Sequence, residues 1–123
     1  MTTTPVSFRI SKELQYLLTK RTEILDAYPE FNLCYTKLIS LSLDLYFEDI
    51  ELGKPIRSIV GIEVPEDIEM RPQPTTVRLC KGYITKIQKR INELQSIQPE
   101  YRVSIASVMN TALAHYLLTN MED

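Results

Sequence analysis

An internal repeat is the feature that most constrains how this chain can fold. The segment from Pro5 to about Ile50 reappears from Pro74 to Asn120 with a nearly constant offset. Its opening residues, Val6–Lys12, align with Thr75–Lys81, which lie 69 positions later. A chain with two similar halves is expected to form the same structural elements twice, in the same order.

The alignment includes residues that a shared amphipathic pattern does not require. Arg9 falls on Arg78, and after one extra residue in the second copy Pro29 falls on Pro99. Two helical hairpins can resemble each other through their apolar pattern alone, but that alternative explains neither pair. The matches therefore favour a true repeat.

Each copy begins with a short stretch in which apolar and polar residues alternate. This pattern predicts a strand with one buried face. The apolar positions are Val6, Phe8, Ile10, Val77 and Leu79, and the polar positions between them are Ser7, Arg9, Thr76 and Arg78.

Two helices are predicted after each strand. Ser11 is a good N-cap residue, and Glu13 lies in the first turn of the helix that follows it. The first helix of each copy is expected to end before a proline, Pro29 or Pro99. The predicted core positions recur three and four residues apart. They are Leu14, Leu17, Leu18, Leu25, Leu38, Ile39, Ser42, Leu45 and Tyr46 in the first copy and Ile84, Ile87, Ile91, Leu94, Val108, Met109, Ala112, Leu113, Tyr116 and Leu117 in the second.

The composition argues against a large catalytic fold and against an enzyme. The chain has 123 residues and three glycines, none of them spaced to form a phosphate-binding loop. The single histidine, His115, precedes a tyrosine on an amphipathic helix, where a partly buried structural role is expected. Cys34 and Cys80 belong to no CxxC motif and no Cys/His cluster. We therefore expect no catalysis, no metal site and no cofactor.

The sequence also bears on where the protein acts. No apolar run approaches the roughly 18–20 residues that span a bilayer, and the N-terminus lacks the basic and apolar regions of a signal peptide. We expect a cytoplasmic protein that does not contact a membrane.

A single strand has no pairing partner within its own copy. A strand-helix-helix unit of about 45 residues also buries too little apolar surface to fold alone. Antiparallel pairing of the two strands, with the four helices packed beneath them, solves both problems. The predicted fold is mainly α with a two-stranded antiparallel ribbon, in which repeats 1–50 and 74–123 form one pseudo-twofold unit joined by a linker, 51–73.

This arrangement resembles the ribbon-helix-helix family of DNA-binding proteins, the MetJ/Arc type. The resemblance rests on the alternating strands with an outward arginine, on the Ser-Lys-Glu-Leu start of the first helix, and on the segment from Val103 to Met109 that opens the last helix. Members of that family usually assemble two identical chains. Here both halves lie on one chain, so the protein resembles the tandem, single-chain members found among plasmid- and virus-encoded regulators.

The resemblance implies that the ribbon enters the major groove of double-stranded DNA. Its outward residues would then contact base edges, and an arginine can donate two hydrogen bonds to guanine O6 and N7. Phosphates would be held by the N-termini of the second helix of each copy and by a lysine after each strand. The expected base-contacting residues are Ser7, Arg9, Thr76 and Arg78. The expected phosphate-contacting residues are Lys12, Lys81, Cys34, Thr36, Lys37, Arg102 and Ser104.

Charge separates the linker from the second repeat. The stretch from Asp49 to Gln73 has six carboxylates against three basic residues, whereas Pro74 to Asp123 has six basic residues against four acidic ones. The net charge of −2 is low for a nucleic-acid binder, so binding is expected to depend on the charge of one face and to be steeply salt dependent.

The resemblance implies transcription regulation, as a repressor encoded by a plasmid, a virus or another mobile element. The alternative is a conjugation or partition accessory protein, or an antitoxin-like protein–protein interaction module. Self-association on adjacent DNA sites, and a protein partner held by the linker, are compatible with either function.

Overall fold

A computed structural model describes residues 2–20, 35–58 and 62–121. In these ranges two strands and four helices follow one another in the order strand, two helices, strand, two helices. They are β1 (Thr3–Ile10), α1 (Lys12–Lys20), α2 (Tyr35–Glu51), β2 (Gln73–Cys80), α3 (Lys81–Ile97) and α4 (Ile105–Met121). The molecule is mainly helical with one two-stranded antiparallel sheet, as the repeat predicts.

The register of the sheet decides which side chains share a face. β1 and β2 pair over their full length, with Ser7 opposite Thr76 and Val6 opposite Val77. The apolar residues of the alternating pattern lie on the inner face, where Phe8 and Ile10 are buried. This alternation confirms the predicted inward positions, because successive side chains of a strand point to opposite faces.

One hydrophobic core lies beneath the sheet and takes side chains from both halves of the chain. Helices α2 and α4 make the most extensive helix–helix contact, and their central residues, Leu43 and Leu113, are completely buried. Of the predicted core positions in the described ranges, Leu45, Ile84, Ile91, Leu94 and Tyr116 are half-buried and the others are buried. Leu25 lies outside the described residues.

Helix ends follow local sequence signals. Ser11 caps α1, since its Oγ accepts the backbone N–H of Leu14 at 3.4 Å. Gly53 ends α2 with a positive φ of 72°, and the N–H of Lys54 donates to the carbonyl of Asp49 at 2.9 Å. This is the glycine-terminated C-cap that leaves few helix carbonyls without a donor. The predicted end of α3 before Pro99 is also observed, at Ile97.

The linker returns along the helical side of the molecule. Its described part contains no strand before β2 begins at Gln73, and Ile56 and Ile62 pack against the core. The backbone N–H of Arg57 donates to His115 Nδ1 at 3.0 Å, which fastens the linker to α4.

Candidate nucleic-acid interface

The outer face of the ribbon carries all four residues predicted to contact bases. Ser7, Arg9, Thr76 and Arg78 are exposed, while the residues between them face the core. Neither strand contains an acidic residue, so arginines are the only charged side chains of the ribbon. This face has the charge that a DNA groove requires.

The centre of this face is a pair of hydroxyl groups. Ser7 and Thr76 lie directly opposite each other, and their side-chain oxygens are 2.8 Å apart. Because one hydroxyl donates to the other, only one of the two protons is left for another acceptor.

The two arginines lie on different strands, on either side of the hydroxyl pair. Arg9 is opposite Pro74 and Arg78 is opposite Pro5. Their Cα positions are therefore four residues apart along the ribbon, which corresponds to about 14 Å, or about four base pairs of B-DNA.

The arginines differ in how they are held. Arg78 reaches across the ribbon to Thr3, where its Nε donates to Oγ1 at 3.0 Å and its Nη2 lies 3.4 Å from the carbonyl oxygen. Arg9 makes no side-chain hydrogen bond within the described residues. The end of the Arg78 guanidinium that bears Nη1 stays available for a bidentate contact, and its orientation is fixed in advance.

Each strand is hydrogen-bonded to the first two turns of a helix from the other half of the chain. The Asn110 side chain of α4 accepts the N–H of Ser11 at 3.0 Å and donates to the carbonyl of Arg9 at 2.9 Å. The Thr36 hydroxyl of α2 accepts the N–H of Arg78 at 3.2 Å. These bonds fix the N-termini of α2 and α4 relative to the two strands of the ribbon.

The predicted phosphate anchor is clearest at α4. Ser104 precedes the helix, and its Oγ accepts the N–H of Ser107 at 3.2 Å, the bond of an N-cap residue. Arg102, two residues earlier, is exposed. At α2 the equivalent cap position, Cys34, lies outside the described residues. Lys37, in the first turn of α2, is exposed, and Thr36 is half-buried.

Lys12 and Lys81 occupy equivalent places as the first residues of α1 and α3. Both are exposed, and both lie within two residues of the end of a strand. Of the seven residues predicted to contact phosphate, six are thus described, and they lie in the first turn of a helix or within three residues before one.

Sequence reasoning did not identify Thr3 or Asn110. Thr3 could have been found from the alternation of β1, because every second residue from Arg9 back through Ser7 and Pro5 to Thr3 lies on the outer face. Asn110 has no comparable signal, because its partners Arg9 and Ser11 are about 100 residues away in sequence.

His115 is more completely enclosed than predicted. It is 2% exposed, and its Nε2 lies 2.6 Å from Asp49 Oδ2. With Nδ1 accepting the N–H of Arg57, both ring nitrogens are engaged within the fold. The ring connects α2, the linker and α4.

No group of three or more His, Cys, Asp or Glu side chains in the described part of the chain is arranged to hold a metal ion. No described helix is both long and apolar enough to cross a membrane. Comparisons with protein-family models, with curated proteins and with solved structures gave no match.

Proposed function

We propose that this protein is a tandem, single-chain ribbon-helix-helix protein that reads double-stranded DNA with its β1–β2 ribbon. The observation that carries the proposal is the outer ribbon face, where Arg9 and Arg78 are exposed on strands without acidic residues. A two-stranded ribbon fits the major groove, and an outward arginine recognises guanine O6 and N7.

The register supports a pseudo-twofold arrangement of the repeats. Ser7 and Thr76 are equivalent positions of the two copies, and they pair with each other across the ribbon. Equivalent residues can pair in this way only when the relation between the two strands is close to a twofold rotation. Arg9 and Arg78 then contact the two halves of one DNA site.

The helix starts support a phosphate clamp on both sides of the groove. The first turn of a helix presents backbone N–H groups without intrahelical acceptors, and the helix dipole favours an anion there. Thr36 and Asn110 hold the starts of α2 and α4 against opposite strands. One phosphate strand would lie against Ser104 and Arg102, and the other against Thr36 and Lys37.

We further propose that DNA binding regulates transcription, most simply by repression. A protein that occupies the major groove of an operator excludes other proteins from it. The two strands differ in sequence, so the preferred site is an imperfect palindrome.

A mobility-shift assay with duplexes selected from random sequence tests this function. We expect specific binding that weakens steeply with salt. The double variant Arg9→Ala/Arg78→Ala should lose sequence preference, whereas Lys89→Ala, which removes an exposed charge on α3, should keep it. Selection that yields no consensus, or a consensus that survives the double variant, would refute the proposal.

A further inference from the structure

A groove beside the first turns of α4 is lined by three arginines, of which the proposed function uses only Arg102. It has a volume of about 440 Å³ and lies between the linker, α3 and the first turns of α4. This volume is within the roughly 300–1,000 Å³ of small-molecule sites. We call it the arginine groove, after Arg57, Arg90 and Arg102, which line it.

The arginine groove concentrates positive charge. None of its described lining residues is acidic. The Glu93 carboxylate lies 3.3 Å from Arg90 Nη1 but is not among the residues of the groove wall. Arg90 and Arg102 place guanidinium groups on the wall of this small volume, where a bound anion interacts favourably with both.

Arg90 is held in place for such a contact. Its Nε donates to the Tyr46 hydroxyl at 3.0 Å, and its side chain is only 21% exposed. Burial opposes its charge, but the hydrogen bonds to Tyr46 and Glu93 outweigh burial and raise the pKa of Arg90. The guanidinium is therefore a fixed cation whose Nη2 has no intramolecular hydrogen-bond partner among the described residues.

The remaining walls supply both polar and aromatic contacts. The side chains of Ser107 and Thr111 line one side. Tyr101 lies on the rim with 68% of its surface exposed, an unusual exposure for a large aromatic ring. A planar group can stack on such a ring, while guanidinium groups bind phosphate through paired hydrogen bonds.

We propose that the arginine groove binds a small phosphorylated ligand with a planar portion, of the class of nucleoside monophosphates. Arg90 and Arg102 contact the phosphate, and Tyr101 stacks on the base. The site is formed by this chain alone and does not depend on the ribbon's binding to DNA.

The test is an NMR titration of the full chain without DNA, using each of the four ribonucleoside monophosphates. Inorganic phosphate and adenosine are titrated separately. We expect at least one nucleotide to shift the resonances of Arg90 and Arg102, and adenosine to bind at least about tenfold more weakly because it lacks the charged group.

Arg102→Ala removes an exposed side chain and should weaken nucleotide binding by about tenfold or more. Lys89→Ala removes one charge from α3 outside the groove and should leave the affinity unchanged. The inference is overturned if no nucleotide shifts these resonances at millimolar concentration, if adenosine binds equally well, or if Arg102→Ala binds normally. Loss of DNA binding in Arg102→Ala without any nucleotide binding would assign the groove to the DNA backbone and also overturn it. The nucleotide titrations give their results whether or not the ribbon reads DNA.

Discussion

The two ends of the ribbon each carry an arginine at an equivalent position of the repeat, yet among the described residues only Arg78 has a side-chain hydrogen bond. Arg78 is hydrogen-bonded to Thr3 across the ribbon, and the repeat offset places Pro72 at the position equivalent to Thr3. Proline has no hydroxyl, so Pro72 cannot give Arg9 the hydrogen bond that Thr3 gives Arg78. Similar halves thus produce one ribbon in which equivalent arginines are held differently.

The same contrast recurs between α2 and α4. Asp49 and His115 form a buried hydrogen bond on one side of this helix pair. The position equivalent to Asp49 holds Thr119, and the position equivalent to His115 holds Leu45. The hydroxyl of Thr119 is buried and has no hydrogen-bond partner among the described residues. The linker is attached on the side that has the histidine, because Arg57 donates to it.

The largest expected effect is a loss of stability when His115 is replaced. His115→Leu introduces the residue of the other copy, but it leaves the Asp49 carboxylate and the Arg57 N–H without their partner. We expect the free energy of unfolding in urea to fall by about 3 kcal/mol.

The double variant Asp49→Thr/His115→Leu is the matched control, since it removes the buried carboxylate as well. It should recover part of the loss. A double variant that is less stable than His115→Leu would show that the pair is not the source of the effect.

The next largest effect is expected on DNA affinity, when either ribbon arginine is replaced. Arg78→Ala should weaken binding to the selected site by about 2 kcal/mol and Arg9→Ala by about 1 kcal/mol, because Arg78 loses less side-chain entropy on binding. Quantitative mobility-shift titrations measure both.

Thr3→Val sharpens this comparison. It keeps the side-chain shape while removing the hydroxyl, so it should reduce the Arg78 contribution toward that of Arg9. Equal effects of the two arginine substitutions in the unaltered protein would contradict the assigned role of Thr3.

Smaller effects are expected at the helix caps. Ser11 and Ser104 cap α1 and α4, whereas Cys80 precedes α3 in an extended conformation without a side-chain cap hydrogen bond. Cys80→Ser should raise the free energy of unfolding by about 0.5–1 kcal/mol, and Ser104→Ala should lower it by about 1 kcal/mol.

Ser104→Ala should also weaken binding to all DNA sequences alike, since it touches only the phosphate site. The caps are misassigned if Cys80→Ser lowers the thermal midpoint, or if Ser104→Ala changes the selected consensus.

The smallest effect on stability is expected at Tyr83. This residue occupies the position in the second copy that is equivalent to the buried Leu14 of the first copy. Burial and the hydrogen bond that it donates to Asp44, 2.8 Å long, raise the pKa of Tyr83 to about 12 from 10.0. A raised pKa means that the folded chain retains this proton longer than the unfolded chain. The stabilising contribution is therefore complete below pH 10 and is lost as the pH rises to 12.

Tyr83→Phe should be slightly less stable at neutral pH and should show a shallower loss of stability over that alkaline range. Urea unfolding at several pH values, with Tyr101→Phe as the exposed control, measures this difference. Identical pH profiles for Tyr83→Phe and the unaltered chain would exclude the contribution.

The sequence predicts those features that local patterns control. Alternation in β1 and β2 identifies the buried Phe8 and Val77, the Ser11 cap is visible as a residue type, and the repeat supplies each strand with a partner. The hydrogen bonds of Asn110, Thr36 and His115 could not be predicted, because they join residues that only the tertiary fold brings together. The hydrogen bond from Arg78 to Thr3 could be predicted only in part: the alternation places both residues on the outer face, but only the strand register brings them together.

The most direct test of the central claim probes the major groove itself. In the selected duplex, each guanine is replaced in turn by 7-deazaguanine, which lacks the N7 acceptor and keeps normal base pairing. The account predicts weakened binding at guanines in two places about four base pairs apart, with one of them becoming insensitive in Arg78→Ala and the other in Arg9→Ala. Binding that is unaffected by every replacement would contradict major-groove recognition by the ribbon.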